Sequence, residues 1–526
     1  MSHLIEPLYL QEFAKSMTGV LDALLIILME NTNEKNDKQI FKTLVETILL
    51  ITEENSKFSH YVPVLETYIN ESFSAMFAFD KLLGLLIDEV DNVHINSQNV
   101  AKFMKCLLYI FKFIVKSWEI FSKEKNEGDY EKFQDSLNRV FKSLETLMHT
   151  KSKDLVLAQR FCLKNLVLSI PDLTKVYDET KLALAVVNLN GKLEKGHLDE
   201  CKIITMRDVV LSPLFDNSQC RDILMPVMTK NISAFMSSGE PELAALVTEN
   251  LGEILNKINI LESKENDVNV LMYACLSPLV LVMSNHFKGK RTSFKAIGNA
   301  DEQTRRNLAN MIALLSLMQP DHYKNYVNQF NFGDEATGRL FLKSSLMSIF
   351  GVFKNLIEFP VFPSDWHIMT MLQNNVILKV LSQFASTITN SFTNGSDFEA
   401  PVWSLFFKCA TTFIDQPTLQ LETFMENKKL KILNTYGDMR QIMGKELNKM
   451  WFNLGENKIH FVPNLVSDVL KIALIDQPDL REATIPIFFD MILCENAKNA
   501  NFQMFQDEFI TKLDHFIGED DLGKNL

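Results

Sequence analysis

From Ala101 to Phe121 the apolar and basic positions separate cleanly when the chain is wound at about 100° per residue. Lys102, Lys105, Lys112 and Lys116 fall within an arc of about 80° on that wheel. Phe103, Leu107, Ile110, Phe111, Ile114 and Trp118 lie across from them. The pattern predicts a helix with a broad apolar face and a narrow lysine edge. A solvated edge is the expectation for those lysines, and a groove for an acidic partner is the alternative. The same three- and four-residue spacing recurs from Val20 to Leu28, Thr43 to Ile51, Leu144 to Leu155, Glu242 to Leu255, Gln303 to Leu317 and Val376 to Phe384. Polar connectors run between these segments at 31–37, 123–129 and 390–397, the last holding the turn signal Asn394-Gly395. Alternation over strand length is nearly absent. Helix after helix with polar links predicts an all-α fold, an irregular armadillo- or HEAT-like α-solenoid of stacked helices.

One hexapeptide recurs: Ile414-Asp-Gln-Pro-Thr-Leu419 is echoed by Ile475-Asp-Gln-Pro-Asp-Leu480. A proline at a helix start loses no hydrogen bond, and an aspartate beside it favours the positive helix end. Both copies therefore predict helix entries after a turn, although two copies set no period. The stretch from Asn269 to Phe287 carries no Asp, Glu, Lys or Arg and is long enough to raise a membrane span. Ser277-Pro278 interrupts it, so the expectation is a pair of buried helices.

Composition narrows the class. In 526 residues there are only 18 glycines and 15 prolines, too few for the tight turns of many short strands. The length exceeds what one core organises, and 47% hydrophobic with 23% charged residues excludes wholesale disorder. A net charge of −13 repels polyanions, so nucleic acid is not an expected partner. Seven scattered cysteines without a Cys-x-x-Cys predict free thiols in a reducing compartment. Met1 to Phe13 has no basic stretch followed by an apolar run, so no secretory signal is expected.

Searches for chemistry return little. Gly-x-Ser-x-Gly, His-Glu-x-x-His and Gly-x-Gly-x-x-Gly are all missing. Ser284 to Thr292 fails as a phosphate loop, since Ser284 replaces the first glycine and Arg291 stands where a hydroxyl must follow the lysine. His197-Leu-Asp-Glu-Cys201 offers three metal-ligand types, but a structural zinc site needs four ligands and no neighbouring cluster completes it. A capped turn is the plainer reading. No catalytic residue, metal ligand or cofactor site is assigned. The strongest charged feature is basic: Lys288, Lys290, Arg291, Lys295, Arg305 and Arg306 outnumber Asp301 and Glu302. Such a run contacts an anionic membrane surface or an acidic protein, or else is a solvated loop between helices.

Several ordered motifs resemble the dedicator-of-cytokinesis (DOCK) family of guanine-nucleotide exchange factors. They are Asp365-Trp366, Leu419-Gln-Leu-Glu-Thr-Phe424, Tyr436-Gly-Asp-Met-Arg440, Met450-Trp-Phe-Asn-Leu-Gly455, Lys458-Ile-His-Phe-Val-Pro463, Ala483-Thr-Ile-Pro-Ile-Phe-Phe-Asp-Met491 and Ile510-Thr-Lys-Leu-Asp514. Earlier, Pro63-Val-Leu-Glu-Thr-Tyr68, Phe111-Lys-Phe-Ile-Val-Lys116 and Cys220-Arg-Asp-Ile-Leu224 resemble it too. The likeness is tightest over 351–515 and looser over 1–350, and its flavour is that of the Rac-directed branch. It implies that residues 1–526 are the helical armadillo-like middle of a longer protein, with 516–526 a polar tail leading to an exchange domain beyond Leu526. It also implies a non-catalytic scaffold, an engulfment-and-motility (ELMO) type adaptor and a Rac-like GTPase as partners of the parent protein, and a cytoplasmic location with recruitment to the plasma membrane. The contrasting reading is a helical enzyme whose site is assembled from distant residues. A deep polar pocket with perturbed carboxylates would favour that one.

Overall fold

The computed structural model describes residues 16–518 apart from 32–35, 54–55, 94–96, 125–126, 194–195, 291–300, 332–333, 364–365 and 394–397. Among the described residues there is helix and turn but no strand. The chain divides into two compact units, Met1–Asp267 and Val268–Leu526.

In the first unit the helices of eight residues or more are α1 (Met17–Glu30), α2 (Asp37–Thr52), α3 (Ala78–Asp91), α4 (Ser97–Lys105) and α5 (Leu107–Phe121). They continue with α6 (Glu127–His149), α7 (Val156–Leu168), α8 (Glu179–Lys192), α9 (Asp199–Val210), α10 (Ser218–Met236) and α11 (Pro241–Ile260). α1, α3, α6, α8 and α10 pack in succession as one layer, and α2, α4, α7, α9 and α11 as a second, with α5 against α3 and α7. Each helix thus meets the next of its own layer, which is how stacked repeats share one continuous core.

α12 (Glu265–Lys290) spans the division. The second unit then holds α13 (Glu302–Leu317), α14 (Pro320–Asn328), α15 (Glu335–Glu358), α16 (His367–Phe392) and α17 (Ala400–Asp415). After these come α18 (Glu426–Tyr436), α19 (Met439–Asn453), α20 (Val466–Ala473), α21 (Pro478–Asn499) and α22 (Gln503–Gly518). Here α13, α16, α19 and α21 follow one another in one layer, and α15, α17, α20 and α22 in the other. Both units are irregular α-solenoid stacks, as the periodicity predicts.

Local chemistry places the helix starts. Asp178, Asn217, Asp301, Asp334 and Asp438 each accept a backbone N–H of the first turn of α8, α10, α13, α15 and α19. Each such cap is worth about 1 kcal/mol. The two related hexapeptides behave differently. Pro478 opens α21 at its first turn, whereas Pro417 opens only a three-residue 3₁₀ turn, Pro417–Leu419. Their leading isoleucine carbonyls do share a role: Arg440 Nε donates to Ile414 O at 3.0 Å and Arg481 Nε to Ile475 O at 2.9 Å.

Three expectations are corrected. The predicted helix from Ala101 to Phe121 is two, because Cys106 (φ −94°, ψ 0°) leaves the helical region between α4 and α5. The apolar segment through Leu155 ends at His149, with only a 3₁₀ turn at Lys153–Leu155 beyond. Ser277-Pro278 does not divide the uncharged stretch, because α12 runs unbroken through Pro278. Val268, Leu271, Met272, Cys275, Leu276, Leu279, Val280, Met283 and Phe287 form its buried stripe. A proline forfeits one hydrogen bond and crowds the preceding turn, and burial of nine apolar side chains outweighs about 3 kcal/mol of that cost.

All seven cysteines are free thiols. Burial pushes the thiols of Cys162, Cys275 and Cys409 up to about 12. They behave as small core hydrophobes.

Candidate interaction surfaces

The lysine edge is already occupied. Lys102 Nζ lies 3.3 Å from Glu46, Lys112 Nζ lies 2.6 Å from Glu66, and Lys105 pairs with Glu53. Lys116 Nζ donates to Asn70 O at 2.8 Å. The edge therefore faces carboxylates and a carbonyl of the preceding helices rather than an acidic partner. The same device recurs where Lys81 meets Asp37 at 2.7 Å, Lys343 meets Glu399 at 2.6 Å and Lys471 meets Asp415 at 2.7 Å.

The basic run is only partly described: Arg291, Lys295 and the side chain of Lys290 lie outside the described residues. Lys288 is exposed at the end of α12. Arg305 and Arg306 share the carboxylate of Glu302, at 3.9 Å and 3.1 Å. Their charge is thus partly neutralised within the first turns of α13.

The metal-like segment disperses. His197 Nε2 is 2.8 Å from Gln159 Oε1, and Asp199 accepts from Gly196 N at 2.9 Å and from Lys202 Nζ at 2.7 Å. Cys201 lines a different cavity, about 350 Å³, with Leu157, Arg160 and Lys164. Among the described residues no three His, Cys, Asp or Glu converge as a metal site.

Among the described residues the most deeply buried ion pair is Arg221–Asp267. The guanidinium, 2% exposed, donates to Asp267 Oδ2 at 2.8 Å, to Phe215 O and Asp216 O at 3.0 Å, and to Ser263 O at 2.7 Å. Burial pushes the Asp267 carboxyl up, against the pull of Arg221. The groove beside it, about 680 Å³, is lined by Ser218, Asp222, Glu262 and Lys264 among others. Every guanidinium nitrogen is committed to the fold, so the perturbed carboxyl is part of a staple and not a poised acid. The sequence shows this arginine within Cys220-Arg-Asp-Ile-Leu224 but carries no signal for its partner, 46 residues away.

Comparison with known proteins decides the family. Residues 6–524 match the family described as Dedicator of cytokinesis (DOCK) TPR region. The chain belongs to the DOCK family. It is 32% identical over 527 residues to human (Homo sapiens) dedicator of cytokinesis protein 3 and 31% identical over 521 residues to the mouse (Mus musculus) dedicator of cytokinesis protein 4. Those alignments cover 97% of this chain and about a quarter of each relative, 25% and 26%. Among solved structures, a circular tandem repeat protein with novel repeat topology shares 10% identity over 98% of both chains at a TM-score of 0.24, too slight to bear on the fold.

The DOCK-like motifs meet in space. Asp490, from the Ala483 to Met491 motif, accepts from Trp451 Nε1 at 2.7 Å and from Lys458 Nζ at 2.8 Å, each from a separate motif. Arg440 bonds Glu422 at 3.0 Å, joining the Tyr436 to Arg440 motif to the Leu419 to Phe424 motif. Burial raises the Asp490 carboxyl, and the hydrogen bonds from Lys458 and Trp451 outweigh it, so the group is held below its usual range. In this DOCK region these five motifs act as structural staples between neighbouring elements. Asp365 lies outside the described residues.

α21 presents an apolar stripe to solvent. Ile485, Phe489 and Leu493 recur every four residues, 41%, 61% and 64% exposed, opposite buried Leu480, Ile487 and Met491. Among the described residues two helical segments, Glu265–Lys288 and Glu335–Glu358, are long and apolar enough to cross a membrane by length and composition. Half of the first apolar window and 44% of the second are buried. Burial of that extent is what amphipathic core helices show.

Proposed function

We propose that this chain is the non-catalytic helical scaffold of a DOCK-type exchange factor for Rac-like GTPases. It would hold the parent protein's other domains at fixed positions and offer surface to an ELMO-type adaptor, in the cytoplasm and at the plasma membrane on recruitment. The observation that carries this reading is the match to the DOCK TPR region from residue 6 to 524. Paired charges along successive helices support it, because within each unit ion pairs and a shared core hold the helices in place, which a flexible linker does not. The exposed stripe on α21 is of the kind that a neighbouring domain or adaptor covers. On this reading residues 1–526 form one scaffold region, with the most family-like part at 351–515.

Fluorescent-nucleotide release from Rac separates scaffold from enzyme. The isolated chain, added at equimolar and about tenfold excess, should leave the intrinsic release rate unchanged, since no transition-state contact is provided. Dose-dependent acceleration by this chain alone would refute the assignment.

A further inference from the structure

We propose that the cavity between the end of α6 and the segment leading into α9 is a binding site for a compact organic polyphosphate. The inference goes beyond the scaffold reading and does not depend on it.

The cavity measures about 490 Å³. Among the described residues its lining holds four basic side chains, His149, Lys151, Lys153 and His197, and no carboxylate. Three other cavities of this acidic chain mix the two signs. Arg160 and Lys164 share theirs with Asp208, and Lys81 and Lys132 share theirs with Asp80 and Asp129. The groove at Arg221 holds Asp222, Glu262, Glu265 and Asp267. Two carboxylates close in sequence to the basic lining are placed elsewhere. Asp199 accepts from Gly196 N and Lys202 Nζ, and Asp154 is exposed in the turn after Lys153 without lining the cavity.

One buried side chain holds both basic walls. Gln159 of α7, 2% exposed, donates through Nε2 to Leu147 O and Thr150 O at 3.0 Å, where α6 ends and the wall at 149–153 begins. Its Oε1 lies 2.8 Å from His197 Nε2. An amide oxygen only accepts, so Nε2 of His197 carries a hydrogen and the ring is fixed by that bond. Met148 and Leu193, both buried, form an apolar floor with Val156. Apolar walls weaken dielectric screening and strengthen the pull on an anion. Walls set before a ligand arrives also lower the ordering cost of binding.

Charge density selects the ligand. Two ammonium groups and two imidazoles around about 490 Å³ call for several negative charges in a small volume. A phosphomonoester carries up to two charges and three acceptor oxygens, so two or three phosphates on one small body match this lining. Carboxylates carry one charge each, and an acidic peptide of equal charge outgrows a cavity of small-molecule size.

The test is titration calorimetry of the full 526-residue chain with inositol hexakisphosphate, with citrate as the carboxylate control. One saturable site per chain is expected, with citrate about tenfold weaker or more. Lys151→Gln with Lys153→Gln should weaken binding by about tenfold or more, and His149→Gln several-fold. Arg160→Gln with Lys164→Gln, in a cavity of mixed sign, should leave it unchanged. All five positions are exposed, and an unchanged thermal melt without ligand confirms that the variants fold. Vesicles carrying a phosphatidylinositol bisphosphate separate the two sources of such phosphates. Sedimentation lost with Lys151→Gln and Lys153→Gln places them on a lipid headgroup; soluble binding without sedimentation places them on a free molecule. The proposal fails if neither probe binds at about millimolar concentration, or if citrate binds as tightly as the polyphosphate. It fails too if the Lys151, Lys153 variant binds like wild type, or if the Arg160, Lys164 variant abolishes binding.

Discussion

Replacing Arg221 with methionine removes the hydrogen bonds to Phe215 O, Asp216 O and Ser263 O and strands the Asp267 carboxylate. The side chains of the pair are 2% and 6% exposed, so water does not replace the lost partner fully. Methionine fills much of the vacated volume, so the cost is mainly electrostatic. Breaking a buried pair by removing one member costs about 3–5 kcal/mol. The adjoining polar groove admits water to part of the site, which argues for the lower end, near 3 kcal/mol. Burial already pushes the Asp267 carboxyl up, and losing Arg221 pushes it further. A carboxyl whose folded pKa is raised stabilises most below its unfolded value, near pH 4, and that contribution is lost as pH rises. The deficit of the variant should therefore be smallest in acid and grow toward neutral pH. Urea unfolding followed by circular dichroism measures the total, and hydrogen exchange of peptides covering 213–222 and 262–268 locates it. The double variant Arg221→Met, Asp267→Leu should recover most of the loss. A single variant within about 1 kcal/mol of wild type, or a double variant as unstable as the single, would refute the staple.

Two glycines of α15 make a matched pair. A Cβ on Gly338 would sit 2.1 Å from the carbonyl oxygen of Phe330, whereas nothing lies within 4 Å of one on Gly351. Gly338→Ala should cost about 1–3 kcal/mol through backbone displacement, while Gly351→Ala should stabilise by about 0.5–1 kcal/mol; thermal melts that rank them the other way would contradict the packing. Asp490 supplies a pH test. Its carboxyl is held low, so its contribution is present above the unfolded pKa of about 3.9 and is lost as pH falls through the folded value. Asp490→Asn should thus be less stable than wild type at pH 7, with the gap closing below about pH 4; a gap independent of pH would remove the charge from the explanation.

The helices were legible because burial on one face imposes a 3.6-residue period that sequence carries directly. Val20 to Leu28 and Gln303 to Leu317 lie within α1 and α13 for that reason. The misread points are where tertiary burial overrides a local rule. Pro278 is a breaker by itself, yet α12 continues through it because its stripe is buried on both sides of the proline. Cys106 gives no local warning of the break it makes. The lysines of α4 and α5 looked solvated because their partners Glu46, Glu53 and Glu66 lie on earlier elements, invisible to a periodicity argument. Family motifs were visible as strings, but that Trp451 and Lys458 converge on the Asp490 carboxylate required the fold.

The layered pairing has a consequence for how the chain is made. The ion pairs that join successive helices link residues 44 apart at Lys81–Asp37, 56 at Lys343–Glu399 and 60 at Lys408–Asp468. In a chain of 526 residues these are near neighbours, so each of these helices meets its partner long before the far end is made. Loop closure over such spans is cheap, and a ribosome adding about 5–20 residues per second delivers each next helix within seconds. Assembly can follow the order of synthesis, each new helix docking on the pair already outside the exit tunnel. A premature stop would then release a shorter but folded stack, exposing one unpaired apolar face at its cut end.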